Sequence, residues 1–231
     1  VTFILTFFLL EHPFSFLPSD QGRAFAVNGS LSKGKLRGVG FIFVLCFLIS
    51  SVLFLPIDVE YVIYAILLFA MMISGYLDDA SKTPWNEYKK GLIDLVISVV
   101  AVLTYMNFNS TTICFGADEI VIPKALFLIL GVILIWVSVN VTNCTDGVDG
   151  LCASLCSVTL LAFGVLFAPI LQKYAMANFL FLSVLFAYLY FNSSPSSMLM
   201  GDAGSRALGF YIAVIALKST HPFIYILLAA V

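Results

Sequence analysis

The feature that most constrains this chain is the recurrence of long, uninterrupted apolar runs. FIFVLCFLISSVLFL, from Phe41 to Leu55, holds no charged residue. Similar stretches fall at about 1–17, 38–55, 61–77, 91–107, 123–141, 151–168, 176–191 and 203–217, and a ninth begins at 222. A membrane-spanning helix needs about 20 mostly apolar residues. With 231 residues, 61% of them apolar and only 10% charged, the chain has room for eight or nine spans and no separate soluble domain. A transmembrane β-barrel would show alternating polarity over about 10 residues per strand. These runs are solid, so the expected fold is all-α: a polytopic helix bundle forming one integral membrane domain over 1–231.

Charge narrows the function classes. A net charge of −2 leaves no basic surface of the kind nucleic-acid binders carry. The five cysteines are an odd count, lie mostly in apolar runs, and are joined by only two histidines, so no zinc-type cluster is expected. They read as reduced thiols facing lipid or core. The chain opens without Met and stops inside HPFIYILLAAV, as if cut at both ends.

Successive spans reverse direction, so the polar breaks form two sets. One holds Arg23, Lys33, Lys35, Arg37, Lys82, Lys89, Lys90 and Arg206; the other holds Lys124, Lys173 and Lys218. Basic residues favour the cytoplasmic side, which makes the first set cytoplasmic. The glycosylation-like triplets at Asn28, Asn109, Asn140 and Asn192 are expected by chance, and three lie on or beside that face. No internal repeat suggests an inverted-repeat transporter.

The same face collects nearly every unusual polar cluster. Asp78 and Asp79 close the third run in SGYLDDASK. Asn140, Asn143, Asp146 and Asp149 recur every three residues in VNVTNCTDGVDGLC, and Asn192 and Asp202 bracket FNSSPSSMLMGDAGSR. Any one of these has a plainer explanation as a helix cap or turn residue. Together they need another. Adjacent carboxylates repel unless water, a cation or a shared proton offsets the charge, and Mg²⁺ takes oxygen ligands from one or two carboxylates plus substrate phosphates. The Asn/Asp run lies roughly on one side if it is helical, where amides and carboxylates can read hydroxyls and bases. Asp202, flanked by Gly201 and Gly204, can cap the eighth run, or hold a metal while the helix N-terminus receives an anion. Lys33, Lys35, Arg37, Lys82, Lys89 and Lys90 can neutralise phosphates, although positive-inside anchoring explains most of them as well.

These three motifs resemble those of the polyprenyl-phosphate N-acetylhexosamine-1-phosphate transferases. LDDASK is similar to the family's paired-aspartate motif, NVTNCTDGVDGL to N-x-x-N-x-x-D-G-x-D-G, and MGDAGSRALG to M-G-D-x-G-S. They stand in the family's order and cover about residues 70 to 215. Lys82 after the aspartates, T-D-G-x-D-G at Thr145 to Gly150, and Asn192 ten residues before Asp202 resemble the branch that uses a phospho-N-acetylmuramoyl-pentapeptide donor. SKGKLRGVG is loosely similar to a Lys-bearing glycine segment of the family, which leaves Lys33 and Lys35 as alternatives. Leu199 stands where some members carry an aromatic, and the histidine-rich motif found near the family's C-terminus is absent from this chain.

The resemblance implies a bacterial inner-membrane, multi-pass enzyme with ten spans in the complete protein, its site facing the cytoplasm, and a homodimer. The implied reaction moves phospho-MurNAc-pentapeptide from UDP-MurNAc-pentapeptide to undecaprenyl phosphate, giving lipid I and UMP with Mg²⁺. On this basis Asp78, Asp79 and Asp202 are the catalytic candidates, with Asp202 the metal ligand. Lys33, Lys82, Lys89, Asn140, Asn143, Asp146, Asp149, Asn192, Gly201 and Ser205 are the candidates for substrate binding.

Four other readings remain to be weighed. A GlcNAc-1-phosphate transferase of the same family differs in its donor. A transporter would gather ionisable groups near mid-membrane rather than at one end. A CDP-alcohol phosphotransferase would need Ala-Arg after Asp149-Gly150, where this chain reads Leu-Cys-Ala-Ser. A structural scaffold explains the hydropathy but not three acidic motifs on one face.

Overall fold

The computed structural model describes the chain except for residues 13, 21, 23–31, 82, 84, 117, 230 and 231. Lys82, Arg23 and Asn28 therefore lie outside the described residues. The apolar runs are helices, in the order α1 (Thr2–Glu11), α2 (Gly40–Phe54), α3 (Val59–Asp79), α4 (Glu87–Phe108), α5 (Lys124–Thr145), α6 (Leu151–Leu166), a single turn α7 (Ala168–Leu171), α8 (Lys173–Asn192), α9 (Gly201–Lys218) and α10 (Pro222–Ala229). Four of them, α3, α4, α5 and α8, are long and apolar enough to cross a membrane, and α1, α2 and α6 are shorter apolar helices.

Local chemistry sets the ends. Asp58 caps α3 by accepting the Tyr61 N–H at 2.8 Å, and Asn86 caps α4 by accepting the Tyr88 N–H at 3.0 Å. Pro123 precedes α5, and Gly150, at φ +75°, precedes α6.

The expectation of a purely helical chain needs one correction. Between α4 and α5, β1 (Thr112–Phe115) and β2 (Asp118–Val121) pair antiparallel, Thr112 opposite Val121 and Phe115 opposite Asp118. TICF and DEIV carry the β-branched residues that favour strands, and Gly116 at φ +64° turns the chain between them. Such a hairpin is invisible to a search for long apolar runs.

The centre of the bundle is α9. Every residue from Gly201 to Leu217 is buried, and α9 packs chiefly against α3 and α5, with α2 and α6 also touching it. Its polar first turns, GDAGSR, are tolerable in an apolar bundle because protein rather than lipid surrounds them. Arg206, counted above with the loop cations, is in fact inside the bundle, 2% exposed. The basic residues of that face outside helical cores thus number one fewer than the sequence suggests.

Close approach makes this packing possible. A Cβ on Gly75 of α3 would run into the backbone of Asp202 and Ala203. Only a residue without a side chain lets α3 press onto the start of α9. Aromatic contacts fill the space further in, with Phe47 and Phe181 stacked at 4.2 Å between α2 and α8. The five cysteines are free, with Cys46, Cys152 and Cys156 buried.

The two ends of the bundle are tied by different polar networks. At one end Lys218 of α9 donates to both oxygens of Glu60 of α3 at 3.0 Å and to Asn109, just beyond α4, at 2.7 Å. Asn109 in turn donates to Glu60 at 2.7 Å. The opposite end holds the conspicuous motifs.

Candidate functional site

Residues 32–39 pass between two other segments. Asp20 N–H donates to the Lys35 carbonyl at 2.8 Å and Arg37 N–H to the Pro18 carbonyl at 2.8 Å. On the other side, Leu199 N–H donates to the Leu36 carbonyl at 2.8 Å and Gly40 N–H to the Met200 carbonyl at 3.0 Å. This short ladder aims Lys35 and Arg37 at the ends of α3, α4 and α9.

Arg37 is the hub. Its Nε donates to Asp79 Oδ1 at 2.8 Å, its Nη1 to Asp20 Oδ1 at 3.5 Å and its Nη2 to Asp202 Oδ1 at 3.4 Å. Burial disfavours its charge, but the carboxylates of Asp79, Asp202 and Asp20 outweigh that and hold its pKa above the ordinary value. Lys90, one turn into α4, sits 2.7 Å from Asp78 Oδ2 and 3.4 Å from Asp202 Oδ2. Asp78 also accepts the Trp85 N–H at 2.7 Å, and Asp79 accepts the Ala203 N–H at 3.1 Å. Three carboxylates from two helices are thus bridged by two cations.

Exposure is graded. The side chains of Asp79, Asp78 and Asp202 are 0%, 4% and 10% exposed, whereas Lys90 and Arg37 are 17% and 30%. An approaching anion meets the cations first, with the carboxylates beneath them.

The Asn/Asp stripe is only partly helical. α5 ends at Thr145, so Asp146 caps it and Asp149 lies in the following turn. Glycines at 147 and 150 break the helix where the three-residue spacing alone would continue it. Asn143 donates to Ser205 Oγ at 3.0 Å and also reaches Asp202. Asn140 turns back to the Trp136 carbonyl at 2.7 Å. Asp149 accepts both the backbone N–H and the hydroxyl of Ser196, at 3.0 and 2.8 Å, and lies 3.8 Å from Lys35 Nζ.

Several candidates hold the site rather than face it. Asn192, 3% exposed, accepts the Gly150 N–H and donates to the Met198 carbonyl, both at 3.0 Å, so both ends of its amide are used. Ser205 is fully buried and donates to the Gly201 carbonyl at 2.9 Å. Gly201, at φ +66°, backs directly onto the Asp79 carboxylate. Of the alternative lysines, Lys35 joins the cluster through Ser196 at 2.8 Å while Lys33 is exposed. Lys90 likewise joins it, while Lys89 lies over the Trp85 ring, 3.3 Å from its centroid.

Asp20 and Ser196 were not singled out by the sequence, and Arg37, Lys90 and Lys35 were named only as possible phosphate-neutralising cations, Lys35 as the alternative to Lys33. The signal for Arg37, Lys90 and Lys35 was membership of basic runs, which positive-inside anchoring explains equally well; Asp20 and Ser196 carried none.

Glycosyl transferase family 4 matches residues 61–220, from the start of α3 through α9, and so spans all three motifs. The chain belongs to this family. Within family 4 it is 35% identical to the phospho-N-acetylmuramoyl-pentapeptide-transferase of Treponema pallidum, over 99% of this chain and 69% of that protein. The proteins of that name from Microcystis aeruginosa and Dictyoglomus turgidum are 31% and 26% identical, over 79% and 100% of this chain and 53% and 76% of theirs. The family 4 match places the Asp78, Asp79 and Asp202 cluster inside the shared region.

Carboxylate oxygens are the ligand type that a hard divalent cation takes. Asp202 is the most loosely engaged of the three carboxylates, since each of its cation partners stands 3.4 Å away. Among the described residues no group of three or more His, Cys, Asp or Glu is arranged to hold a metal by itself. Mg²⁺ bound by Asp202 would therefore complete its shell with water and substrate phosphate oxygens, its usual habit.

Proposed function

We propose that this protein transfers phospho-MurNAc-pentapeptide from UDP-MurNAc-pentapeptide to undecaprenyl phosphate, forming lipid I and releasing UMP. The observation that carries the proposal is the convergence of Asp78, Asp79 and Asp202 under Arg37 and Lys90 at one end of an apolar bundle. One substrate is a membrane lipid and the other a charged nucleotide, so their meeting point belongs at a membrane interface. In this proposal that interface is cytoplasmic, and the shorter helices together with α9 complete a multi-pass bundle of eight or nine spans.

An oxygen of the lipid phosphate attacks the phosphorus next to the sugar. A new P–O bond forms there, the P–O bond to UMP breaks, and UMP leaves with the electron pair. Both reactants are anions, and Arg37 and Lys90, the accessible groups, draw their phosphates together and offset the charge that gathers on the leaving group. As these cations turn toward phosphate they uncover Asp78 and Asp79, and either can take the proton of the acceptor phosphate. Mg²⁺, held by Asp202, supplies further neutralisation at the pyrophosphate when bound. Lys35, Asn143, Asp146 and Asp149 form the donor side, while Asn192, Gly201 and Ser205 keep these groups in place.

The test is UMP release by the full-length protein with undecaprenyl phosphate and Mg²⁺, given UDP-MurNAc-pentapeptide or UDP-GlcNAc. Release with the pentapeptide donor alone is the expected result. Release with UDP-GlcNAc alone would move the protein to the other branch of the family, and no release with either would return a transport role to consideration.

A further inference from the structure

Asp94 and Arg206 form an ion pair inside the bundle, each with a 2% exposed side chain. Asp94 lies outside the motifs above and Arg206 directly follows the M-G-D-x-G-S stretch, and a buried charge in an apolar helix carries a cost that calls for a role. Their positions suggest one. Asp94 lies four residues after Lys90 on α4, and Arg206 four residues after Asp202 on α9, about one helical turn in each case.

α4 and α9 run in the same direction. Their first turns are joined by Lys90 and Asp202, and their far ends by Asn109 and Lys218. The two pairs are therefore successive rungs: cation on α4 to anion on α9, then anion on α4 to cation on α9. Every neighbour in this square is of opposite sign, since the Arg206 charge also acts on Asp202 and the Lys90 charge on Asp94. Direct contact between α4 and α9 is otherwise slight, because each packs mainly on α5 and α3.

The lower rung is not optimised for holding the helices together. Nε and Nη1 of Arg206 are buried without a hydrogen-bond partner among the described residues, and only Nη2 is engaged, by Asp94. A pair selected for stability would use more of the guanidinium fork, and a well-packed apolar pair is often at least as stable.

We propose that Asp94 and Arg206 are positioning residues for the transferase reaction, fixing the register of α4 on α9 so that Lys90 and Asp202 meet at the site. The proposal rests on the transferase function above and adds to it a specific internal device. A shift of about 1 Å at a reacting group costs about a hundredfold in rate.

Two double variants of the full-length protein test it, read by UMP release and by melting temperature in detergent. D94L/R206M removes both charges at similar bulk, and D94R/R206D keeps a pair but sets like charges one turn from Lys90 and from Asp202. Each is expected to melt within about 3 °C of the unaltered protein, to keep its KM for the nucleotide within about threefold, and to lose about tenfold or more in kcat. R206K, which keeps the charge, is expected to retain most of the kcat that the double variants lose. Unchanged kcat in a folded double variant overturns the proposal. If neither double variant folds, R206K and R206M decide it: equal kcat in the two refutes positioning, and a loss confined to R206M supports it. An unaltered protein that releases no UMP defeats the transferase function itself, and the proposal falls with it.

Discussion

The carboxylate of Asp79 lies directly behind the α-carbon of Gly201, where a side chain would otherwise project. The same carboxylate accepts the Ala203 N–H at 3.1 Å, so the end of α3 is fastened to the first turn of α9 by a contact only glycine permits. Gly201 also has φ +66°, which disfavours any other residue.

Gly201→Ala is therefore expected to displace Asp79 and with it Arg37. The strain and the displaced carboxylate together should cost about 2–3 kcal/mol. A fall in melting temperature accompanied by near-complete loss of UMP release is the expected result. Unaltered turnover would show that the Asp79–Gly201 contact has no bearing on the site.

Asp78→Asn, Asp79→Asn and Asp202→Asn keep the shape of each side chain and remove its charge. Each is expected to reduce kcat by about a hundredfold or more while the protein remains folded. Asp202→Asn should additionally require more Mg²⁺ for half-maximal rate, because it is the proposed metal ligand. Near-normal turnover in all three would sink the assignment of the site.

The neighbouring lysines should separate cleanly. Lys35→Ala and Lys90→Ala remove groups that touch Ser196, Asp149, Asp78 and Asp202. Lys33→Ala and Lys89→Ala remove exposed groups outside the cluster. Steady-state kinetics on the four variants should show losses of about tenfold or more in kcat/KM for the first pair and little change for the second. The reverse ranking would mean that substrate enters from a different side.

Arg37→Lys tests geometry against charge. Lysine keeps the charge but cannot span Asp79, Asp20 and Asp202 as the guanidinium does. The expected outcome is a loss of kcat nearly as large as in Arg37→Ala. Full rescue by lysine would reduce Arg37 to a source of positive charge.

At the opposite end of the bundle, Lys218→Met leaves Glu60 buried without its cation. Breaking one side of such a pair costs about 3–5 kcal/mol, whereas removing both sides is often neutral. Differential scanning in detergent should show a large drop in melting temperature for Lys218→Met and recovery in Glu60→Gln/Lys218→Met. The kinetic constants of the folded fraction should remain near those of the unaltered protein.

Much of this protein was legible in the order of its residues. Long apolar runs dictate helices because the bilayer leaves backbone groups no partner but each other. Asp78, Asp79 and Asp202 stood out because carboxylates clustered at one end of apolar segments need compensation, and the structure brings their side chains together as that logic requires. The hairpin over 112–121 was missed because two four-residue strands leave no pattern a search for spans can register.

Only the tertiary structure decided which cations serve the carboxylates. Lys33 and Lys35, or Lys89 and Lys90, are equivalent as residue types in a basic run, and the turn of the chain alone selects which of each faces inward. Arg206 looked like a loop anchor until α9 proved to be the buried centre of the bundle, where its charge must find Asp94. Sequence patterning fixes what each segment must bury, since burial depends on a residue's own chemistry. Pairing of charges depends on distances across helices far apart in the chain, and those distances exist only once α3, α4 and α9 have packed.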